Sequence, residues 1–314
     1  MNGFSTSLSQ ETQINALRKV PGFENCKLFR PGYAIEYDFF PPTQLTATLE
    51  TKKIQNLFFA GQINGTTGYE EAACQGLMAG INAHAKVTDK EPFILKRSEA
   101  YIGVLIDDLI NKGTDEPYRM FTSRAEYRTL LRQDNADIRL TEMGYNLGLA
   151  SKERLDIMNK KKDNVQQIVI TLETVGLSPE EANDFLEAED QTILQQKQKA
   201  AQLLTRPGME LKKMVEGIDT LAALRDYSDE ELEQASIQIK YEVYIRKESE
   251  LVDKMKNLEE LSIPAAFDYN KLSSLSNEAR QKFTTIQPRT LGQASRISGV
   301  NPSDVQILMV YMGR

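Results

Sequence analysis

The chain has 314 residues and a formal net charge of −7 at pH 7, with 40% hydrophobic and 26% charged residues. This length and composition favour a folded globular protein of two or three domains. The acidic balance excludes a protein that is basic throughout, although it is compatible with a local basic patch for RNA.

The first hundred residues combine short strand signals with turns. Residues 33–37 carry β-favouring aromatic side chains, and the apolar run 56–60, which ends at Gly61, predicts a buried strand. A glycine-punctuated loop follows at 61–68, and residues 69–86 have the composition of a helix. The order strand, tight loop, helix predicts an incomplete α/β domain over residues 1–98, where the composition changes.

Helical periodicity dominates the rest of the chain. It predicts a helix over 99–109 and a turn over 113–117, and the break at 205–208 contains a Pro-Gly pair. Further helix starts are predicted from capping residues, two of them followed by proline: Ser151, Ser178 with Pro179, and Asn301 with Pro302. We therefore predict an α+β chain with a mostly helical middle region at 99–205 and a helical domain at 206–314.

The loop 61–68 is a candidate ligand site. A loop that joins a strand to a helix N-terminus presents backbone N–H groups to polar or anionic ligands. Its glycines would let a ligand approach the main chain, and Gln62, Asn64, Thr66 and Thr67 add polar side chains. A nucleotide or flavin site and a plain turn fit these residues equally well.

The arginine segment, residues 119–139, is a candidate RNA contact. Arginine suits phosphates and stacks on bases, and aromatic residues 118, 121 and 127 are interleaved. Its five arginines are Arg119, Arg124, Arg128, Arg132 and Arg139. The alternative interpretation is an ion-paired network with the acidic residues Glu116, Glu126, Asp134 and Asp137.

Three blocks resemble the MnmG/GidA family of tRNA-modifying enzymes. They are RPGYAIEYD at 30–38, FFAGQINGTTGYEEAA at 58–73, and EPYRMFTSRAEYR at 116–128 continuing into DNADIRLT at 134–141. Their order and length make the resemblance very specific, and it extends over essentially the whole chain, more loosely after residue 145. The chain is similar to the C-terminal half of such an enzyme.

The resemblance implies an FAD-dependent enzyme that works with the GTPase MnmE on C5 of wobble uridine 34, in the cytoplasm and as a homodimer. A methylene-folate would donate the carbon and NADH would reduce it. Gln62 matches the family's FAD-contacting glutamine, and Gly61, Asn64, Thr66, Thr67 and Gly68 are proposed by adjacency. The tRNA substrate favours RNA contact by Arg119, Arg124, Arg128 and Arg132, and the helical domain would dock MnmE.

The departures from the family pattern limit what the chain is expected to do. No Gly-x-Gly-x-x-Gly fingerprint for the FAD pyrophosphate follows a strand. The family's cysteine-bearing catalytic segment is also missing, and Cys26 and Cys74 do not match it, so they are expected to be buried or inert. We therefore expect no catalytic residue here, only part of the FAD site, and binding of tRNA and MnmE without turnover.

The cysteine and histidine content limits which kinds of catalytic or metal site are expected. One histidine, His84, and two distant cysteines predict neither a metal site nor a catalytic triad. No apolar run reaches the roughly 20 residues that span a bilayer, and no secretion signal is apparent, so we expect a soluble cytoplasmic protein. The alternative to the enzyme is a non-catalytic helical module that binds RNA or another protein.

Overall fold

The chain is mostly helical. A computed structural model describes residues 6–33, 35–114, 116–264 and 267–312, with the backbone alone at 254, 255 and 257–260. The helices in these ranges are α1 (Gln10–Leu17), α2 (Tyr69–Val87), α3 (Tyr101–Lys112), α4 (Ala136–Asn146), α5 (Lys152–Thr174), α6 (Pro179–Ala188), α7 (Ala200–Leu204), α8 (Leu211–Gly217), α9 (Asp229–Glu260), α10 (Asn277–Ile286), α11 (Leu291–Arg296) and α12 (Pro302–Tyr311). Short 3-10 turns lie at Pro42–Gln44, Gly61–Asn64, Thr122–Arg124, Asp219–Leu224 and Tyr269–Lys271.

Local capping signals fix several helix starts. The Ser151 hydroxyl accepts from the Arg154 N–H at the start of α5. Ser178 and Asn301 each form a capping box with the acidic residue three positions later, and a proline follows each of them. Such caps satisfy N–H groups that have no partner inside the helix, and each contributes about 1 kcal/mol. The three predicted helix starts are confirmed.

The predicted strand at 56–60 is wrong, and the β-favouring residues 33 and 35–37 form no strand either. The structure assigns one two-stranded antiparallel sheet in the described ranges, β1 (Gly176–Leu177) with β2 (Gln198–Lys199). The run 56–60 is extended but forms only an isolated bridge between Glu50 and Phe58. Tyr33 and Tyr37 are exposed, and Ala34 lies outside the described residues. An extended segment becomes a strand only when neighbouring strands pair with it, and apolar composition cannot supply that partner.

Three hydrophobic clusters stabilise the fold. The first cluster joins α2 and α3 to the turns before them, with Leu45, Leu49, Met78, Leu109 and Tyr118 among its members. The second cluster lies among α5 to α9 and contains Ile168, Leu172, Leu203, Met214 and Leu232. The third cluster holds α10 to α12 together through Tyr269, Phe283, Leu291 and Leu308. The second cluster includes residues on both sides of 205, and the domain division at 98 and 205 stays a prediction.

Helix α9 joins the later clusters to the arginine segment. It has 32 residues, begins at a Ser228 capping box, and packs on α5 and on α11. Its Gln234 amide donates to Asp134 Oδ2 at 2.6 Å, and the Glu248 carboxylate accepts from the Thr129 N–H at 3.0 Å. A polar contact links the helices of the third cluster to those of the first: the Arg296 guanidinium in α11 donates to Asp107 of α3 at 2.8 Å. These contacts set the position of the arginine segment.

Candidate functional site

The glycine loop 61–68 turns sharply into α2. Gly61 and Gly65 have φ values of +84° and +76°, a region that residues with a Cβ rarely adopt. Gly61–Asn64 forms a 3-10 turn, and Gly68 is the N-cap of α2 with no side chain to cap it. A Cβ at Gly68 would stand 1.6 Å from Glu71 Oε2, so that position has no room for one. The predicted loop and the helix after it are confirmed.

Gln75, in the second turn of α2, holds the loop from inside. Its side-chain oxygen accepts from the Gly61 N–H at 3.2 Å and from the Asn64 amide at 2.7 Å. Its amide donates to Thr66 Oγ1 at 2.9 Å and to the Glu71 carbonyl at 3.1 Å. All four polar groups are buried. Asn64 and Thr66, which the sequence proposes as ligand contacts, therefore use their side chains within the protein.

Two other loop side chains, those of Gln62 and Thr67, lie nearer to solvent than those of Asn64 and Thr66. Gln62 is exposed, and Thr67 is partly exposed with its N–H donated to the Tyr118 carbonyl at 3.3 Å. Asn64 Oδ1 and Glu71 Oε2 are buried polar atoms without a hydrogen-bond partner among the described residues. The exposed Gln62 amide and the partly exposed Thr67 are the loop side chains that a polar ligand can reach, whereas Gly61 and Gly68 are buried and the Glu71 carboxylate lies against Gly68.

The loop is paired directly with the start of the arginine segment. Thr66 and Tyr118 form a parallel bridge, in which the Tyr118 N–H donates to the Gly65 carbonyl at 2.7 Å. The Met120 N–H donates to Glu71 Oε1 at 2.8 Å. The two candidate sites are therefore adjacent, although more than forty residues separate them in sequence.

The structure divides the predicted arginines into two groups. Arg119, Arg124 and Arg128 are exposed. The Arg124 guanidinium lies 4.4 Å from the centre of the Tyr118 ring, and that of Arg119 lies 5.8 Å from the Phe121 ring. Such stacking orients the guanidinium while its N–H groups remain available to an anion.

Arg132 and Arg139 are bound within the fold. Arg132 pairs with Asp134 at 3.0 Å and donates to the Thr129 carbonyl at 2.6 Å. Arg139 donates to Asn135 Oδ1 at 2.9 Å, and burial lowers its pKa. The ion-pair interpretation is therefore correct for Arg132. It fails for two acidic residues, because Glu126 pairs with Arg97 and Asp137 with Lys161.

Sequence reasoning missed a charged cluster around Arg97. Its guanidinium contacts Glu126 and reaches Asp107 and Asp108 of α3 at 2.9 Å each. Burial alone would lower the pKa of Arg97, but the three carboxylates outweigh it and raise the pKa. The cluster borders a cavity of about 790 Å³ that Arg296 also lines. The sequence signal was the pair of adjacent aspartates, Asp107 and Asp108, which follows an apolar run in α3, since a charge buried in such a helix needs a partner.

The cysteine, histidine and acidic side chains form no further catalytic or metal site in the described ranges. Cys74 is exposed, and partial burial together with the carboxylates of Glu71 and Glu70 raises the pKa of its thiol, which disfavours the nucleophilic thiolate. His84 is exposed in the last turn of α2. Within the described residues no acidic, cysteine and histidine side chains group as metal ligands do, and no helix is long and apolar enough to cross a bilayer.

The fold defines an α+β chain in which a glycine loop leads into helix α2 and most of the remainder is helical. Models of one family match most of its length. The model "Glucose inhibited division protein A" matches residues 1–91, and two models of the tRNA modifying enzyme MnmG/GidA, its C-terminal helical domain and helical bundle, match 152–249 and 251–314. The chain belongs to the MnmG/GidA family of tRNA-modifying enzymes.

Individual relatives agree with the family models. The "tRNA uridine 5-carboxymethylaminomethyl modification enzyme MnmG" of Cytophaga hutchinsonii is 59% identical over 100% of this chain and 51% of its own length. The protein with that description from Bacteroides thetaiotaomicron is 52% identical, over 100% of this chain and 51% of its own length. The form II crystal structure of Aquifex aeolicus GidA is 44% identical, with a TM-score of 0.78 over 99% of this chain and 49% of that one.

These comparisons confirm the predicted family and fold class. The chain is an α+β chain whose partial α/β portion precedes a mostly helical C-terminal region. It spans about half the length of the curated relatives it matches. The prediction that it corresponds to the C-terminal part of a family member is confirmed, because the two C-terminal models match its second half.

Proposed function

We propose that the chain is part of an FAD-dependent enzyme that modifies C5 of wobble uridine 34 in tRNA. The relatives are described as tRNA uridine 5-carboxymethylaminomethyl modification enzymes, which supports the substrate and the reaction class. Because the chain spans about half of their length and contains no catalytic cysteine segment, its own part is binding. NADH and a methylene-folate would serve the complete enzyme, a cytoplasmic homodimer.

The glycine loop is proposed as one wall of the flavin site. The exposed Gln62 amide would contact FAD beside the partly exposed Thr67. The buried Gly61 and Gly68 would act indirectly, Gly61 by allowing the turn at φ +84° and Gly68 by leaving room for the Glu71 carboxylate. Asn64 and Thr66 would act indirectly by fixing the loop through Gln75. A bound flavin supplies hydride-transfer chemistry, and this chain's residues bind and orient it.

The exposed arginines are proposed as phosphate contacts for tRNA. The observation that carries the proposal is the pairing of Tyr118 with the loop residue Thr66, because Arg124 stacks on that same tyrosine. RNA held by Arg124 would therefore lie beside the proposed flavin wall. Arg119 and Arg128 extend this surface. Arg132 contributes by holding the segment in place, since its guanidinium is already paired.

Binding of tRNA by the whole chain tests this surface. The double variant Arg124→Ala plus Arg128→Ala should weaken binding by at least about tenfold at low salt, and it should reduce the salt dependence of binding by about one released ion per lost contact. Filter binding or fluorescence anisotropy at several salt concentrations measures both quantities. Arg154→Ala, which removes one exposed arginine on α5, should change affinity little and is the control for each single variant, Arg124→Ala and Arg128→Ala. Binding that ignores salt and survives the double change would remove the phosphate-contact proposal.

A further inference from the structure

The outer part of the arginine segment has little regular structure of its own. Between residues 119 and 130 it contains one short 3-10 turn, Thr122–Arg124, and no strand or α-helix. A segment of this kind presents its side chains in a fixed arrangement only if other elements hold its backbone. The exposed residues Arg119, Arg124 and Arg128 all lie in it.

Three carboxylates tie this stretch to three other parts of the chain, which are α2, Arg97 and α9. Glu71 of α2 accepts from the Met120 N–H at 2.8 Å. Glu126, inside the segment, accepts from the Arg97 guanidinium at two atoms, one of them at 2.9 Å. Glu248 of α9 accepts from the N–H groups of Thr129 and Leu130 at 3.0 and 3.2 Å, and from the Thr129 hydroxyl.

The anchors are spaced along the segment so that each exposed arginine has one within two residues. Met120 follows Arg119, Glu126 lies two residues from both Arg124 and Arg128, and Thr129 follows Arg128. Hydrogen bonds to a carboxylate are stronger than those between neutral groups. The segment is therefore held at the residue after Arg119, at the residue after Arg128, and two residues from Arg124.

We propose that Glu71, Glu126 and Glu248 are positioning residues that preform the arginine surface for tRNA. This inference rests on the proposed function of the arginines. It predicts that removing one of these carboxylates weakens tRNA binding, which is opposite to the effect expected from charge alone. Removing a negative charge beside a phosphate-binding surface strengthens RNA binding by simple electrostatics. Removing a carboxylate that holds the arginines in place weakens it, because ordering the segment then opposes binding.

Glu248 gives the sharpest test, because Glu250 is a matched control. Glu250 is exposed on the same helix, and Glu→Ala at either position removes the same charge. With the whole chain and an unmodified tRNA transcript containing uridine 34, Glu248→Ala should weaken binding at least about fivefold. Glu250→Ala should leave binding unchanged or slightly tighter. Glu248→Gln, which keeps an acceptor oxygen, should lose less than Glu248→Ala and guards against a folding defect.

A second measurement does not depend on RNA. Amide hydrogen exchange at Thr129 and Leu130 should become at least about tenfold faster in Glu248→Ala than in Glu250→Ala, since their acceptor is gone. If the wild-type chain does not bind tRNA, the proposed function fails, and the exchange rates still decide whether Glu248 holds the segment. Unchanged exchange, or tRNA binding that tightens equally in both alanine variants, would overturn the inference.

Discussion

Gln75 shows how much of the candidate site depends on a side chain that meets no ligand. It is fully buried and bonds to Gly61, Asn64, Thr66 and the Glu71 carbonyl at once. Each half of its amide has two partners, so both its donors and its oxygen are satisfied. Buried polar networks of this kind fix a single loop conformation, because any alternative leaves a polar group unpaired.

Replacing Gln75 should therefore cost stability, whereas replacing Gln62 should not. Gln75→Ala leaves the Gly61 N–H and the hydroxyl of Thr66 short of partners, and we expect the free energy of unfolding to fall by about 2–4 kcal/mol. Gln62→Ala removes an exposed side chain and should change it by less than about 0.5 kcal/mol. Urea unfolding followed by circular dichroism measures both. Equal midpoints for the two variants would show that the network does not stabilise the loop.

The arginine segment marks how far a sequence can predict such a site at the residue scale. The pattern identified the right stretch, since basic and aromatic residues alternate there. It did not separate the exposed Arg124 and Arg128 from the paired Arg132. Arg132 is paired by two near neighbours, Asp134 and the Thr129 carbonyl, together with the Gln234 amide of α9, which donates to Asp134 and accepts from Arg132. The charge pattern shows which acidic residues lie near an arginine in sequence, but not which of them its guanidinium faces. The ligand contacts proposed for the glycine loop and the arginines stay predictions.

At the scale of elements, helix starts could be predicted from the sequence because their capping residues act within a few positions. The pairing of strands could not be predicted. Ser151, Ser178 and Asn301 start helices because each satisfies its own first turn. The run 56–60 had the right composition for a strand, but the described chain offers it only the isolated bridge at Glu50. A strand is a property of two segments, so one segment cannot predict it.

Two helical glycines should respond oppositely to alanine. A Cβ at Gly103 in α3 would stand 2.4 Å from the Lys96 carbonyl oxygen and 2.6 Å from that of Leu95, and backbone cannot easily move away. We expect Gly103→Ala to destabilise the chain by about 1–3 kcal/mol. Gly80 in α2 is exposed with nothing within 4 Å of a Cβ, so Gly80→Ala should stabilise it by about 0.5–1 kcal/mol.

Thermal unfolding of the two variants beside the wild type checks this pair. The midpoint should fall for Gly103→Ala and rise for Gly80→Ala. A rise for both would mean that helix propensity outweighs the close approach at Gly103, and that the contact between α3 and the chain before it can relax.

At the scale of the whole molecule, the three clusters suggest where the chain can be divided. A cut at 205 would remove Met214 and Leu232 from the second cluster. A cut after 249 keeps that cluster and removes the third, which contains Tyr269, Phe283 and Leu308. The family models meet close to the same point, between 249 and 251. The shorter chain loses the ion pair between Arg296 and Asp107.

This division tests the proposed docking of MnmE. Calorimetric titration with the purified GTPase should show binding by the whole chain and at least about tenfold weaker binding by residues 1–249, because an amphipathic helical surface is removed. Circular dichroism and a cooperative unfolding transition would control for loss of the second cluster. Equal affinity for both chains would assign docking to residues before 250 and contradict docking by the part of the helical domain that follows residue 249.

The length of helix α9 between Gln234 and Glu248 determines which way these two side chains point around the helix axis. Gln234 and Glu248 are fourteen residues apart, close to four full turns, so they share the face that meets the arginine segment. One residue inserted between them would rotate everything beyond it by about 100°, and Glu248 would face away from Thr129. Seven inserted residues would nearly restore the orientation while lengthening the helix by about 10 Å. A largely solvent-exposed stretch of helix is thus restricted in its length, although its surface residues are free to vary.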